Sequence, residues 1–154
     1  MREGGIVLKS VLFFVGVLIV IQFIPLKKTN PPVDASLALQ TDEKVQKILK
    51  KSCYDCHSNE TNWSLYANIA PFSFGVVSHV EDGRAAFNFS KYKNIDKETK
   101  IARLKRAIKT VKLGMMPLSS YLMFHKDAEL TKEEKEILID WFVKELKKLG
   151  VKRV

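Results

Sequence analysis

Cysteine is almost absent. The 154-residue chain holds two, Cys53 and Cys56, and only three histidines. A structural zinc site normally brings a second Cys/His pair at short spacing, and here His79 and His125 each stand alone and far apart. A Cys53–Cys56 disulfide would close only a tiny loop. Strand-like β-branched alternation is also scarce, which removes the βαβ neighbourhood a thioredoxin-like dithiol needs. There is no internal repeat and no low-complexity tract. The lysines are spread along helical faces instead of clustering, which weighs against nucleic-acid binding. Finally, the apolar N-terminus lacks the small-residue site at which a signal peptidase cuts.

What is present is concentrated in one place. Both cysteines fall in Cys53-Tyr54-Asp55-Cys56-His57. C-x-x-C-H is the attachment signature of c-type haem. Two thiols three residues apart on a helical turn each reach one vinyl group, and the adjacent histidine is held over the iron as the proximal ligand.

The segment Ile6–Leu26 is apolar apart from Lys9, Ser10 and Gln22. At helical rise its 21 residues cover about 30 Å, the thickness of a bilayer core. It ends in Gln22-Phe23-Ile24-Pro25-Leu26-Lys27-Lys28, so an uncleaved anchor is expected. The division is residues 1–28 as a transmembrane helix, 29–40 as a linker and 41–154 as a soluble domain. Lysine and arginine flank both ends of the span, so charge alone leaves orientation open. Covalent haem decides it, because thioethers are made outside the cytoplasm. The expected location is the inner membrane, single-pass, with the domain facing the periplasm or cell exterior.

Of 26 basic and 17 acidic residues, four and one precede residue 34, leaving 22 against 16, a net charge of +6. A moderately basic domain beside a membrane suits anionic lipid or a redox partner with an acidic docking surface.

Thr29-Asn30-Pro31-Pro32 predicts an extended exit from the membrane. Asp42 is a suitable N-cap for a helix running to Cys53, with Val45, Ile48 and Leu49 on one face. Pro71 starts a second helix carrying Phe72, Val76 and Val80, which Asp82-Gly83 should end or interrupt. Asn94-Ile95-Asp96 starts a third, with Ile101, Leu104, Ile108 and Val111 in register and Gly114 just past its end. Thr131-Lys132-Glu133-Glu134 is a capping box for the last helix, whose stripe is Ile137, Leu138, Trp141, Phe142 and Leu146. The expected fold is all-α: four short helices around one covalent haem, preceded by the membrane helix. So small a core predicts a poorly folded apo chain.

The iron's opposite face needs a ligand or stays open. Met116 is the first candidate, because Gly114 permits a sharp exit from the preceding helix and Pro117 keeps Met116 out of a helix. Met115 is the alternative, since spacing cannot separate neighbours, and His125 is a further one. His79 reads as structural or propionate-side, and Met123 as core. Trp63, Arg84 and Arg103 suit haem propionates, since indole N–H groups and arginine forks pair with carboxylates.

Beyond the motif, several runs resemble the bacterial haem-binding domain family of cytochrome c-like proteins. They are Thr29-Asn30-Pro31-Pro32, Cys53 through Thr61, Ile69-Ala70-Pro71, Gly83-Arg84, Asn88-Phe89-Ser90, Met116-Pro117-Leu118 with Tyr121, and His125-Lys126-Asp127-Ala128. The resemblance covers nearly the whole chain. It implies Cys53 and Cys56 as attachment sites, His57 as proximal ligand and Met116 as distal ligand. The family's Trp-x-Trp-Tyr run reads Trp63-Ser64-Leu65-Tyr66 here. The expected function is a membrane-anchored monohaem c-type cytochrome, an electron carrier more than an enzyme. The alternative is a haem-based sensor or weak peroxidase with a labile distal methionine.

Overall fold

The computed structural model describes residues 2–152, and every regular element among them is helical. The all-α expectation is met. Helix α1, Arg2–Val20, continues into a 3₁₀ turn at Ile21–Phe23. Within this stretch Gly5–Phe23 has a mean hydropathy of 2.5, and none of it is buried in the protein. By length and composition it is sufficient to cross a membrane.

Helix α2, Glu43–Ser52, begins where the Asp42 carboxylate accepts the Val45 amide at 2.9 Å. It stops one residue short of expectation. Cys53 leaves the helical region at φ −133°, ψ −32° and caps a separate single turn, α3, at Tyr54–His57. Helix α4, Phe72–Ala86, does not end at Asp82-Gly83 but runs through it for three more residues. Its buried valines are Val77 and Val80, while Phe72 projects outward. Helix α5, Lys97–Lys112, is capped by Asp96 accepting from Thr99, and Gly114, at φ 66°, turns the chain out of it. A short α6, Ser119–Leu122, precedes α7, Lys132–Lys148. The single turns α3 and α6 escape a periodicity reading because four residues carry too little pattern.

Helix α7 packs across α5 and α2, and α3 packs on α4. Leu49 of α2, Leu104 of α5, and Leu138 and Leu146 of α7 are completely enclosed. Each such leucine stabilises the fold by about 1.5–3 kcal/mol. Met123, expected in this core, is instead 71% exposed, because α6 is too short to bury it.

The predicted capping box closes α7: the Glu134 amide donates to Thr131 Oγ1, and the Thr131 amide donates to the Glu134 carboxylate. Thr131→Ala should lower unfolding stability by about 0.5–2 kcal/mol in a denaturant titration. An unchanged midpoint would mean that α7 is held by its packing alone.

Candidate functional site

The Cys53–His57 turn is shaped by bonds to its own backbone. The His57 amide donates to the Cys53 carbonyl at 2.9 Å, closing the turn that brings both thiols and the imidazole to one side. Ser58 Oγ donates to the Tyr54 carbonyl at 2.8 Å, and Thr61 Oγ1 to the Asp55 carbonyl at 2.7 Å. Gly83 of α4 lies so close that a β-carbon there would sit 2.4 Å from the Cys56 carbonyl oxygen. This is the reason for a glycine inside α4. It lets the helix press directly on the motif, a long-range requirement that local turn propensity cannot reveal.

The imidazole has a defined tautomer. His57 Nδ1 lies 2.9 Å from the Phe87 carbonyl oxygen, an acceptor, so Nδ1 carries the proton and Nε2 keeps its lone pair. Burial pulls the His57 pKa below its ordinary value, with backbone bonds to Phe87 and Gly83 opposing it. A neutral imidazole anchored at Nδ1 through a carbonyl is the arrangement of a metal-bound histidine. Burial also pushes the Cys53 thiol up to about 12 and the Cys56 thiol up to about 11. Burial thus favours the thiol over the thiolate that a reactive dithiol needs.

Cys53, Cys56 and His57 line one cavity of about 440 Å³, and Met116 and Pro117 lie on the same lining. That volume falls in the range of small-molecule and cofactor sites. Met115 and Met116 both follow the Gly114 turn but differ in their contacts. The Met115 amide donates to the Thr110 carbonyl at 2.9 Å and its side chain is exposed, whereas Met116 packs against the core. The neighbours that spacing could not tell apart thus point to different surroundings.

The sequence profile of the haem-binding domain family matches residues 16–144. The chain belongs to this family. No curated protein and no solved structure matches the chain.

The residues of this haem-binding domain fit the cofactor. Nε2 of His57 is an available nitrogen donor and Met116 a thioether on the same cavity. Ser52 also lines this cavity, and its Oγ is buried without a hydrogen-bond partner among the described residues.

The other candidates are placed differently. Arg84 does not line this cavity. Its guanidinium donates to the carbonyls of Ser58 and Thr29 at 2.7 Å each, to Asn30 Oδ1 at 3.0 Å and to Thr61 Oγ1 at 2.8 Å. It fastens residues 29–30 to the loop that follows Cys53–His57, and four of its five N–H donors are used there. Trp63 lines neither this cavity nor the one beside it, and Arg103 borders a separate surface hollow. His125 is also outside both cavities. Its Nε2 lies 2.7 Å from the Tyr66 hydroxyl, and its ring stacks on Tyr121 at 4.3 Å. His79, by contrast, borders both cavities.

One residue on the cavity, Arg106, went unnoticed in the sequence, and Tyr121, which the resemblance had included, has a partner that the sequence did not reveal. Arg106 makes no ion pair among the described residues. It stands on α5 about two turns before the loop that carries Met116, and nothing local marks it. Tyr121 donates to Asp55 Oδ2 at 2.7 Å, joining the methionine loop to the attachment turn. Burial, then the Asp55 carboxylate, holds the phenol far above its ordinary pKa, so it stays a donor.

Proposed function

We propose that the chain is a membrane-anchored monohaem c-type cytochrome that transfers single electrons on the periplasmic side of the inner membrane. The observation that supports it most is the convergence on one cavity of two thiols, a histidine with a free Nε2, and Met116. When bound, haem supplies the ferric/ferrous couple, and a methionine ligand favours the reduced state. The chain's tasks are to hold and shield that group. Cys53 and Cys56 would hold the group covalently through thioethers to its two vinyl substituents. His57, its Nδ1 held by the Phe87 carbonyl, would hold the iron through Nε2, and the Met116 thioether on the same cavity would be the second protein ligand. Arg106 is placed to pair with a haem carboxylate. The net charge of +6 on the part of the chain after residue 33 supports a redox partner with an acidic docking surface.

Met116→Ala tests the assignment. Its ferric spectrum should lose the long-wavelength charge-transfer band of methionine-ligated haem, and the midpoint potential should fall, while Met115→Ala leaves both unchanged. A wild-type protein that is already high-spin and binds carbon monoxide at neutral pH would replace the carrier with a sensor or weak peroxidase.

A further inference from the structure

The face of the domain next to α1 is both apolar and uncharged. Residues 61–80 contain no Asp, Glu, Lys or Arg, and neither do residues 113–125, in a chain that is 28% charged overall. These two stretches meet in space: Phe124 stacks on Tyr66 at 4.7 Å and meets the edge of Phe72 at 6.2 Å. Around them Leu65 is 86% exposed, and Ile69 and Met123 are each more than half exposed; Phe72 and Phe124, also half exposed, border at the same time a cavity that reaches Cys56. Apolar side chains gathered at this density on a surface mark a place that something apolar covers.

The position of the face says what covers it. Gln22, in the last turn of the candidate span, makes two bonds to the backbone of one residue across 48 positions. Its Nε2 donates to the Ala70 carbonyl and its Oε1 accepts the Ala70 amide, both at 3.0 Å. Lys28 donates to the Ala67 carbonyl at 3.2 Å and to the Asn68 side chain. Ala70 is thereby fixed at the level of the span's final turn. Ile69 and Phe72 lie within two residues of it, so within about 7 Å along the chain. We infer that the Leu65–Phe72 loop and the Met123–Phe124 tip form a second membrane contact, seated in the lipid interface beside α1. This rests on the reading of α1 as a membrane span. The chemistry suits the site: tyrosine, here Tyr66, is a headgroup-level residue, and the Lys28 ammonium held on Ala67 and Asn68 belongs at that same polar level. The occupant is the bilayer of the same membrane, since the hydrogen bonds to Gln22 leave this loop flush with the end of the span.

The full-length holoprotein in nanodiscs of phosphatidylethanolamine and phosphatidylglycerol provides the test. A photoreactive benzophenone amino acid is introduced singly at Leu65, Ile69 or Phe124, at Leu12 within α1, and at Lys144 on the exposed side of α7. Covalent lipid adducts are read by mass spectrometry. Adducts at Leu65, Ile69, Phe124 and Leu12, with none above background at Lys144, are the expected result. Adducts at Leu12 alone overturn the second contact and leave the anchor standing. No adduct at Leu12 overturns the anchor, and the second contact with it. Crosslinks from Leu65 or Phe124 to a protein, without lipid, also overturn it.

Discussion

Gly83→Ala should sharply reduce the amount of haem-loaded protein and its thermal stability. The added methyl would stand 2.4 Å from the Cys56 carbonyl oxygen and 2.9 Å from its carbon. Both are backbone atoms inside the Cys53–His57 turn, so no side-chain rotation relieves the overlap. Either α4 retreats from α3 or the turn deforms. The cost belongs at or above the upper end of the about 1–3 kcal/mol typical of overpacking. Retreat has a second effect. The Phe87 carbonyl that holds His57 Nδ1 follows directly on α4, so moving α4 also misdirects the imidazole. Gly75→Ala is the control on the same helix. A β-carbon there meets nothing within 4 Å, and alanine should stabilise α4 by about 0.5–1 kcal/mol. Thermal midpoints and Soret absorbance per chain check both variants. Equal behaviour of the two would show that the close approach of α4 to the attachment turn has no energetic weight.

The double variant Cys53→Ala, Cys56→Ala should lose covalent haem completely. The chain has no other cysteine, so no alternative thioether is available. On a denaturing gel, haem-dependent peroxidase staining should run with the wild-type chain and disappear from the variant. Any haem recovered with the folded variant should extract into acidified acetone. The physical consequence extends beyond the colour. With nothing in it, a cavity of about 440 Å³ lies against Ser52, Cys53 and Met116 at the edge of the core. Unfilled volume beside a small core destabilises it. The haem-free variant should therefore show weaker far-ultraviolet circular dichroism than the holoprotein. Equal helicity with and without haem would mean that the helices support themselves.

Local chemistry was legible in the sequence and long-range partnership was not. Asp42, Asp96 and Thr131 begin their helices as N-caps because the cap bond reaches only two or three residues ahead. Gly114 turns the chain after α5 for a similarly local reason. The attachment motif was visible because its chemistry is confined to five consecutive residues. Gly83 was misread as a helix end, since its actual constraint comes from Cys56, twenty-seven positions earlier. Arg84 suggested a carboxylate ligand by residue type alone, while its real acceptors are carbonyls of the linker and attachment loop. Arg106 passed unnoticed because nothing local marks a lysine- and arginine-rich helix position as cavity-facing. Met123 looked like core because a hydrophobic residue carries no sign of whether its short helix has a covering neighbour.

The Arg84 clamp has a mechanical consequence. Together with the Asn59 bond to Pro32 and the Asn30 bond to Thr61, it bolts residues 29–32 onto the domain instead of leaving them as a leash. A slack tether lets a carrier swing through a hemisphere and trade partners at a distance set by linker length. A bolted one removes that reach. In a membrane-anchored chain, the domain would travel as a rigid fitting on its own helix, presenting the same side to everything it meets. Encounters would then be a search in two dimensions, governed by lateral diffusion and by which complexes expose a matching surface at the same height above the lipid.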